Sequence, residues 1–360
     1  MKKKIIFFLA NFNQGGAGQS ITRLCLELNK KKYDITVLCL QKCYYKNILK
    51  KYKIEVKEIN KIRVSKIRED LTLLLDSYSL KYEKIIFVSN LFYTNALISI
   101  FLKKDEKIKL VFVERTPLQE LSIYFGLKDF LKKFLIKLIL KFNYKKASIV
   151  VSNSKKTAYD ISNFAKCRSI HIYPPSFNLK INFNKSRSSK LNILSIGRLS
   201  KEKNFEELIL FLSKLDNLNF SLNIIGSGPQ KIYLRKLIKT HNLQNKIRLL
   251  GFKTNTKKYF KKTNLFISPS KFEGFPNVIV ESISHGVPVL SNQSHGGVNE
   301  IINKKFGMIY SNFETFQNEI QNFTNNQEKF RFKKKDIKNH FRKFSIHECT
   351  KNYEKLFDKL

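Results

Sequence analysis

The sequence predicts an α/β protein built from two Rossmann-like domains. Three observations carry this expectation. Short apolar runs alternate with helical patterns through the first half, a polar and basic stretch follows Pro174 and Pro175, and the same alternation then restarts. With 360 residues, 42% of them hydrophobic, the chain is long enough to bury two separate cores.

In chain order the first half places strands at 4–10, 34–40, 54–59, 84–89, 109–114 and 147–152. The run Ile5-Ile6-Phe7-Phe8-Leu9-Ala10 behind Lys2, Lys3 and Lys4 imitates a signal peptide. It is short, however, and leads into Asn11-Phe12-Asn13 without a cleavage-like site, so it reads as a buried parallel strand. Ile85 to Leu102 carries no charge and is about long enough to span a bilayer. Ser89, Asn90, Thr94, Asn95 and Ser99 would be costly in lipid, and Asn90 divides the segment into a strand and a helix. No transmembrane segment is expected.

The expected domains are 1–178, a linker at 179–190, 191–345 and a final helix at 346–360. In the second domain strands are expected at 191–196, 220–226, 246–250, 264–268 and 287–291, with helices at 204–215, 229–240, 255–262 and 277–285 between them.

The formal charge is +40, from 68 Lys and Arg against 28 acids. Such a field favours polyanions: diphosphates, anionic lipid or nucleic acid. A lysine-rich codon bias accounts for it as well. Recognisable nucleic-acid modules are lacking, and nucleic acid is not an expected partner. Five scattered cysteines form no Cys-x2-Cys pair and read as reduced thiols. Neither the six histidines nor any Asp-x-Asp suggests a metal, so the expected chemistry needs no metal and no further cofactor.

Ser268 to Leu290 is the most informative stretch. It sets Glu273 and Glu281 eight residues apart around Gly274-Phe275-Pro276-Asn277, a turn that opens a short helix closed by Gly286 and Pro288. A helix N-terminus attracts phosphate or a sugar oxygen, and neighbouring carboxylates accept bonds from hydroxyls. Upstream, Ile196-Gly197-Arg198-Leu199 ends a strand, with Lys203 five residues after Arg198 and with Asn204 and Glu207 as a capping box. Arginine and lysine there suit phosphate. Ile225-Gly226-Ser227-Gly228 and Gly251-Phe252 repeat the pattern of strand followed by glycine turn.

Together these motifs resemble the retaining GT-B glycosyltransferases of glycosyltransferase family 4. The resemblance is strong in the second half and looser in the first. It implies a fold of two Rossmann-like domains facing across a cleft, with the last helix crossing back to the N-terminal domain. The implied activity is transfer of a hexose from a UDP- or GDP-sugar to a glycan, with Glu273, Arg198 and Lys203 carrying the chemistry. Donor contacts would come from Gly16, Gly197, Gly226, Gly251, Phe252, Gly274, Phe275, Asn277, Val278 and Glu281; Pro276 has no N–H to give.

In the N-terminal half, Gly15-Gly16-Ala17-Gly18 resembles the family's glycine loop, although Gly18-Gln19 departs from its usual continuation. A dinucleotide fingerprint is disfavoured, because no acid follows at the required distance. Val113-Glu114-Arg115-Thr116 resembles members that act on polyprenyl-linked sugars, making Gly15, Glu114 and Arg115 acceptor candidates. Finally, residues 127–146 form an amphipathic helix. Leu127, Phe130, Leu131, Phe134, Leu135, Leu138, Ile139 and Phe142 lie along one stripe, with Lys128, Lys132, Lys133, Lys137 and Lys141 opposite. It reads either as a surface for anionic membrane or as a core helix with a basic outer face. The expected protein is cytoplasmic, peripheral on the inner face of the membrane, and acts on a lipid-linked glycan of bacterial surface polysaccharide. A GT-B sugar- or nucleotide-binding scaffold without catalysis is the alternative, with a basic nucleic-acid-binding protein a remote second, and the oligomeric state is left open.

Overall fold

The fold is that of a computed structural model, which describes residues 2–103, 105–178 and 190–360. The linker expected at 179–190 lies outside the described residues except for Lys190. Two compact units result, Met1–Ser176 with Lys343–Leu360, and Phe177–Arg342.

The first unit is a seven-stranded parallel sheet ordered β3-β2-β1-β4-β5-β6-β7. Its strands are β1 (Lys3–Phe8), β2 (Tyr33–Cys39), β3 (Glu55–Glu58), β4 (Ile85–Asn90), β5 (Ile108–Glu114), β6 (Ile149–Ser152) and β7 (Ser169–His171). Between them run α1 (Gly16–Glu27), α2 (Lys46–Lys51), α3 (Arg68–Ser79), α4 (Phe92–Phe101), α5 (Leu127–Asn143) and α6 (Lys155–Ala165). Central strands covered on both faces need unbroken apolar runs, which is why Ile5 to Phe8 and Ile85 to Val88 are all buried. The charge-free segment at 85–102 divides as expected into β4 and α4. Among the described residues no helix is long and apolar enough to cross a membrane.

The second unit repeats the arrangement in six parallel strands, β10-β9-β8-β11-β13-β15. These are β8 (Leu191–Ile196), β9 (Phe220–Ile225), β10 (Ile247–Gly251), β11 (Leu265–Ser268), β13 (Val289–Asn292) and β15 (Gly307–Tyr310). A small parallel pair, β12 (Phe272–Glu273) and β14 (His295–Gly296), stands beside them. The helices are α7 (Phe205–Ser213), α8 (Lys231–Thr240), α9 (Lys257–Phe260), α10 (Asn277–Ser284), α11 (Val298–Ile301), α12 (Phe313–Asn325) and α13 (Lys334–Phe341). In both sheets the strand order reverses beside the first strand, between β1 and β4 and between β8 and β11. Open parallel sheets bind ligands at the carboxyl ends flanking such a switch point.

One helix returns to the first unit. In α14 (Ile346–Lys359), Tyr353, Leu356 and Phe357 join the core that contains Phe7 and Tyr33. Lys3 Nζ donates to the Phe357 carbonyl at 2.8 Å, and the Asn29 amide donates to Glu354 at 2.9 Å.

Candidate active site

At the carboxyl end of the second sheet, successive loops are bonded backbone to backbone. The amide of Gly197 donates to Ile225 and that of Leu199 to Ser227, both at 3.0 Å; Gly226 donates to Gly251 at 2.9 Å. Gly226 has φ +154°, and a Cβ there would lie 1.8 Å from the Gly197 carbonyl oxygen, so only glycine allows this approach. The glycines singled out in the sequence therefore hold the loops after β8, β9 and β10 together.

Lys203 leaves a short turn after β8, and its ammonium pairs with Glu273 Oε1. Ser270 Oγ donates to the same oxygen at 3.0 Å. Both side chains are largely sheltered, at 23% and 15% exposed, which shields the pair from screening by salt. Among the described residues both bonds fall on Oε1, leaving Oε2 to accept from a ligand hydroxyl. The backbone at Glu273 is fixed from the other side. Gly297 donates to the Gly274 carbonyl at 3.0 Å, and a Cβ on Gly296 would sit 1.8 Å from the Glu273 carbonyl oxygen.

Two turns along, Glu281 accepts from Thr256 Oγ1, a residue of the loop after β10. Glu281 thus stands beside the turn that carries Gly251 and exposed Phe252. Helix α10 opens at Pro276 with Asn277 and Val278 in its first turn, while Gly274 and Phe275 are buried beneath. It ends in a Schellman motif: Gly286 donates to Ile283 at 2.9 Å and Val287 to Ser282 at 3.1 Å. Arg198 is exposed at the end of β8, and its guanidinium pairs with none of the described residues. The expected capping box is absent. Asn204 adopts the left-handed conformation, with φ 55°, and its side chain makes no cap hydrogen bond, because it follows a tight turn rather than an extended entry into α7.

In the first unit, Gly15 and Gly16 are exposed where α1 begins beyond β1. At the end of β5 the structure separates the expected pair. Glu114 is fully buried and bonded through Oε1 to Tyr144 Oη and to Asn95 Nδ2, so it supports the strand end rather than facing a ligand. Burial pushes its carboxyl up to about 8, against the hydrogen bonds that pull it down. Arg115 is only partly buried, and its Nε donates to Asn90 Oδ1 at 2.9 Å. Asn90 in turn donates to the Phe8 carbonyl at 3.0 Å, so the guanidinium is oriented from the ends of β1 and β4. Burial lowers the pKa of Arg115, its largest cause, while Tyr353 and Glu114 act in the opposite sense.

Helix α5 turns a narrow face inward and leaves its broad apolar stripe outside, unlike a core helix with a basic outer face. Lys133, Ile136 and Leu140 are buried, whereas Leu127, Phe130, Leu131, Phe134, Leu135, Leu138 and Phe142 are exposed. Lys133 pairs with Asp129 at 2.9 Å and donates to the Ile123 carbonyl at 2.6 Å, so it belongs to the inner face.

Sequence reasoning missed Ser270, Thr256, Asn90, Asn95 and Tyr144. Ser270 alone had a signal, standing three residues before Glu273. Thr256 sits in a polar loop with no pattern. Among the described residues no group of three or more His, Cys, Asp or Glu could hold a metal ion.

Two Rossmann-like units, the second with Lys203, Glu273 and Glu281 held on glycine-closed loops, make up a GT-B fold. Residues 177–340 match the family model described as glycosyl transferases group 1. The chain is 29% identical over 328 residues to the N-acetylgalactosamine-N,N'-diacetylbacillosaminyl-diphospho-undecaprenol 4-alpha-N-acetylgalactosaminyltransferase of Campylobacter jejuni, covering 85% of this chain and 86% of that one. It is 22% identical to the amylovoran biosynthesis glycosyltransferase AmsD of Erwinia amylovora, over 84% of each chain. Its fold matches the crystal structure of Anabaena Alr3699/HepE in complex with UDP and glucose with a TM-score of 0.77 at 17% identity, over 99% of both chains.

Proposed function

We propose that the chain is a retaining hexosyltransferase that moves a sugar from a nucleoside-diphosphate donor, UDP in preference to GDP, onto a glycan carried by polyprenyl diphosphate during assembly of a bacterial surface polysaccharide. The bond from the sugar's anomeric carbon to the diphosphate breaks and one to the acceptor oxygen forms on the same face. The acceptor proton passes to the departing phosphate oxygen. No side chain need act as nucleophile.

Arg198 and Lys203 would neutralise the leaving diphosphate without a metal, Lys203 being already held in place by Glu273. Glu281 would grip the ribose hydroxyls and Glu273 the transferred sugar. The observation that carries this reading is the Lys203, Glu273 and Ser270 cluster, which joins the phosphate side and the sugar side of a donor at one carboxylate. UDP in a solved neighbour and a diphospho-undecaprenol substrate in the name of a relative support the donor and acceptor classes. Arg115 and the glycine loop at Gly15 would face the acceptor.

The exposed apolar stripe of α5, flanked by Lys128, Lys132 and Lys141, would rest on anionic lipid at the inner face of the cytoplasmic membrane, where such an acceptor is found.

Nucleotide sugars are screened by thermal shift, and products formed on membrane lipid extract are then analysed by mass. Glu273→Gln should abolish transfer while UDP affinity stays within about threefold, and Arg198→Ala should lower both, by roughly tenfold or more for a lost charge-assisted contact. Full transfer by either variant would overturn the assignment.

A further inference from the structure

We propose that Tyr44, braced by Tyr45, is a stacking platform for a sugar ring of the acceptor. This inference deepens the glycosyltransferase reading and rests on it. The loop between β2 and α2 lies at the carboxyl end of the first sheet, next to the loop after β1. Leu40 donates to the Ala10 carbonyl at 3.1 Å and Tyr44 to the Phe12 carbonyl at 2.9 Å, so the two loops are laced together. The Tyr45 ring stands edge-on to Phe12 at 6.2 Å and fills the space over Gly18, where an added Cβ would come within 3.4 Å of it.

Tyr44 meets Tyr45 at 5.1 Å and 88°, yet remains 56% exposed. Its ring is therefore held in place without being covered. The loop is fixed further by Glu58, which accepts from the Cys43 amide at 2.9 Å and from Lys46 at 2.7 Å. Core packing does not require an aromatic here. Ile48 and Tyr52, at four-residue steps, are exposed in the same way and extend the strip, with exposed Lys42 and Asn47 as polar neighbours.

A rigid tyrosine face of this kind suits a pyranose. Its ring C–H bonds are weakly positive and meet the negative π face, while the surrounding polar groups reach its hydroxyls. Tyrosine presents that area at low conformational cost. The place, beside the glycine loop at Gly15 and Gly16, suits the acceptor's sugar next to the reacting hydroxyl.

The chain contains no tryptophan, so Tyr44→Trp introduces a sole fluorescent reporter. Its emission should shift saturably on adding a polyprenyl-diphosphate oligosaccharide preparation and stay unchanged with UDP alone. Tyr44→Ala should raise the half-saturating acceptor concentration at least fivefold, with UDP affinity and the rate at saturating acceptor within twofold. Tyr44→Phe should behave as the wild type, since stacking uses the ring and not the hydroxyl. If the wild type transfers sugar but Tyr44→Ala keeps the wild-type acceptor dependence, or Tyr44→Trp does not respond to the acceptor, the platform is wrong and the enzymatic reading stands. If the wild type neither binds UDP nor transfers to any glycan lipid, both fall.

Discussion

Helices α5 and α14 belong to one unit and carry one kind of sequence, apolar positions at three- and four-residue steps among lysines, yet they are used in opposite ways. In α14 the stripe turns inward: Tyr353 and Phe357 are buried and Phe357 packs edge-on against Phe7 and Tyr33. In α5 the inner face is narrow, made of Lys133, Ile136 and Leu140, and the broad stripe is left outside, with Leu127 at 74% and Leu135 at 58% exposed. Periodicity therefore reveals a stripe but not the medium it faces. What separates the two is supply: α5 carries more apolar surface than its sheet face consumes.

The largest expected effect tests the inward stripe. Phe357→Ala should cost about 3–5 kcal/mol of stability as a buried aromatic truncation, whereas Leu135→Ala should stay within about 0.5 kcal/mol. Urea midpoints of the two variants measure this. Equal losses would mean that α5 is packed in solution and the contrast is false.

A smaller effect separates the lysines of α5. Lys133→Ala should cost about 2 kcal/mol, because it removes charge-assisted bonds to Asp129 and to the Ile123 carbonyl. Lys132 is exposed over the Tyr93 ring at 4.0 Å, and Lys132→Ala should cost about 0.5 kcal/mol. On liposomes the order should change. The double variant Phe134→Ser, Leu135→Ser should bind anionic vesicles about tenfold more weakly, corresponding to about 1.4 kcal/mol of lost apolar insertion. Flotation that matches the wild type would remove the membrane from the account.

These contrasts also show what could be read beforehand. Most strands of both sheets, and the placement of Arg198, Lys203, Glu273 and Glu281 on the loops and the helix that follow them, were legible, because apolar runs and glycine turns are local signals. That Lys203 and Glu273 share a bond was not, since the contact joins residues seventy apart through the order of the sheet. Asn204 misled for a local reason: Asn followed by Glu three residues on suits a cap, but asparagine also tolerates the left-handed turn it adopts here. Glu114 was an acceptor candidate by resemblance alone, and nothing local signals its burial, because Tyr144 and Asn95, which enclose it, arrive from distant elements. The short β7 and β15 escaped notice as well, the first because Ser169–His171 is polar and marginal.

An effect spread over pH, about 1 kcal/mol at each unit step, lies where α5 ends, just before Tyr144 joins it to Glu114. With its carboxyl pushed from 4.5 up to about 8 by burial, Glu114 keeps its proton in the native state at pH 6 to 7.5, while the unfolded chain has lost it. The unfolded state then binds fewer protons, so stability falls as pH rises, by about 1 kcal/mol per pH unit in this window, and the slope fades above pH 8 where both states are ionised. Glu114→Gln keeps a neutral side chain of the same shape and should flatten the dependence without moving the exposed stripe of α5. Urea midpoints at half-unit steps from pH 5.5 to 8.5 compare the two. Parallel curves would show that Glu114 is ionised in the native state, with a cation or water reaching Oε2, and that the outer helix is anchored to a charged rather than a neutral strand end.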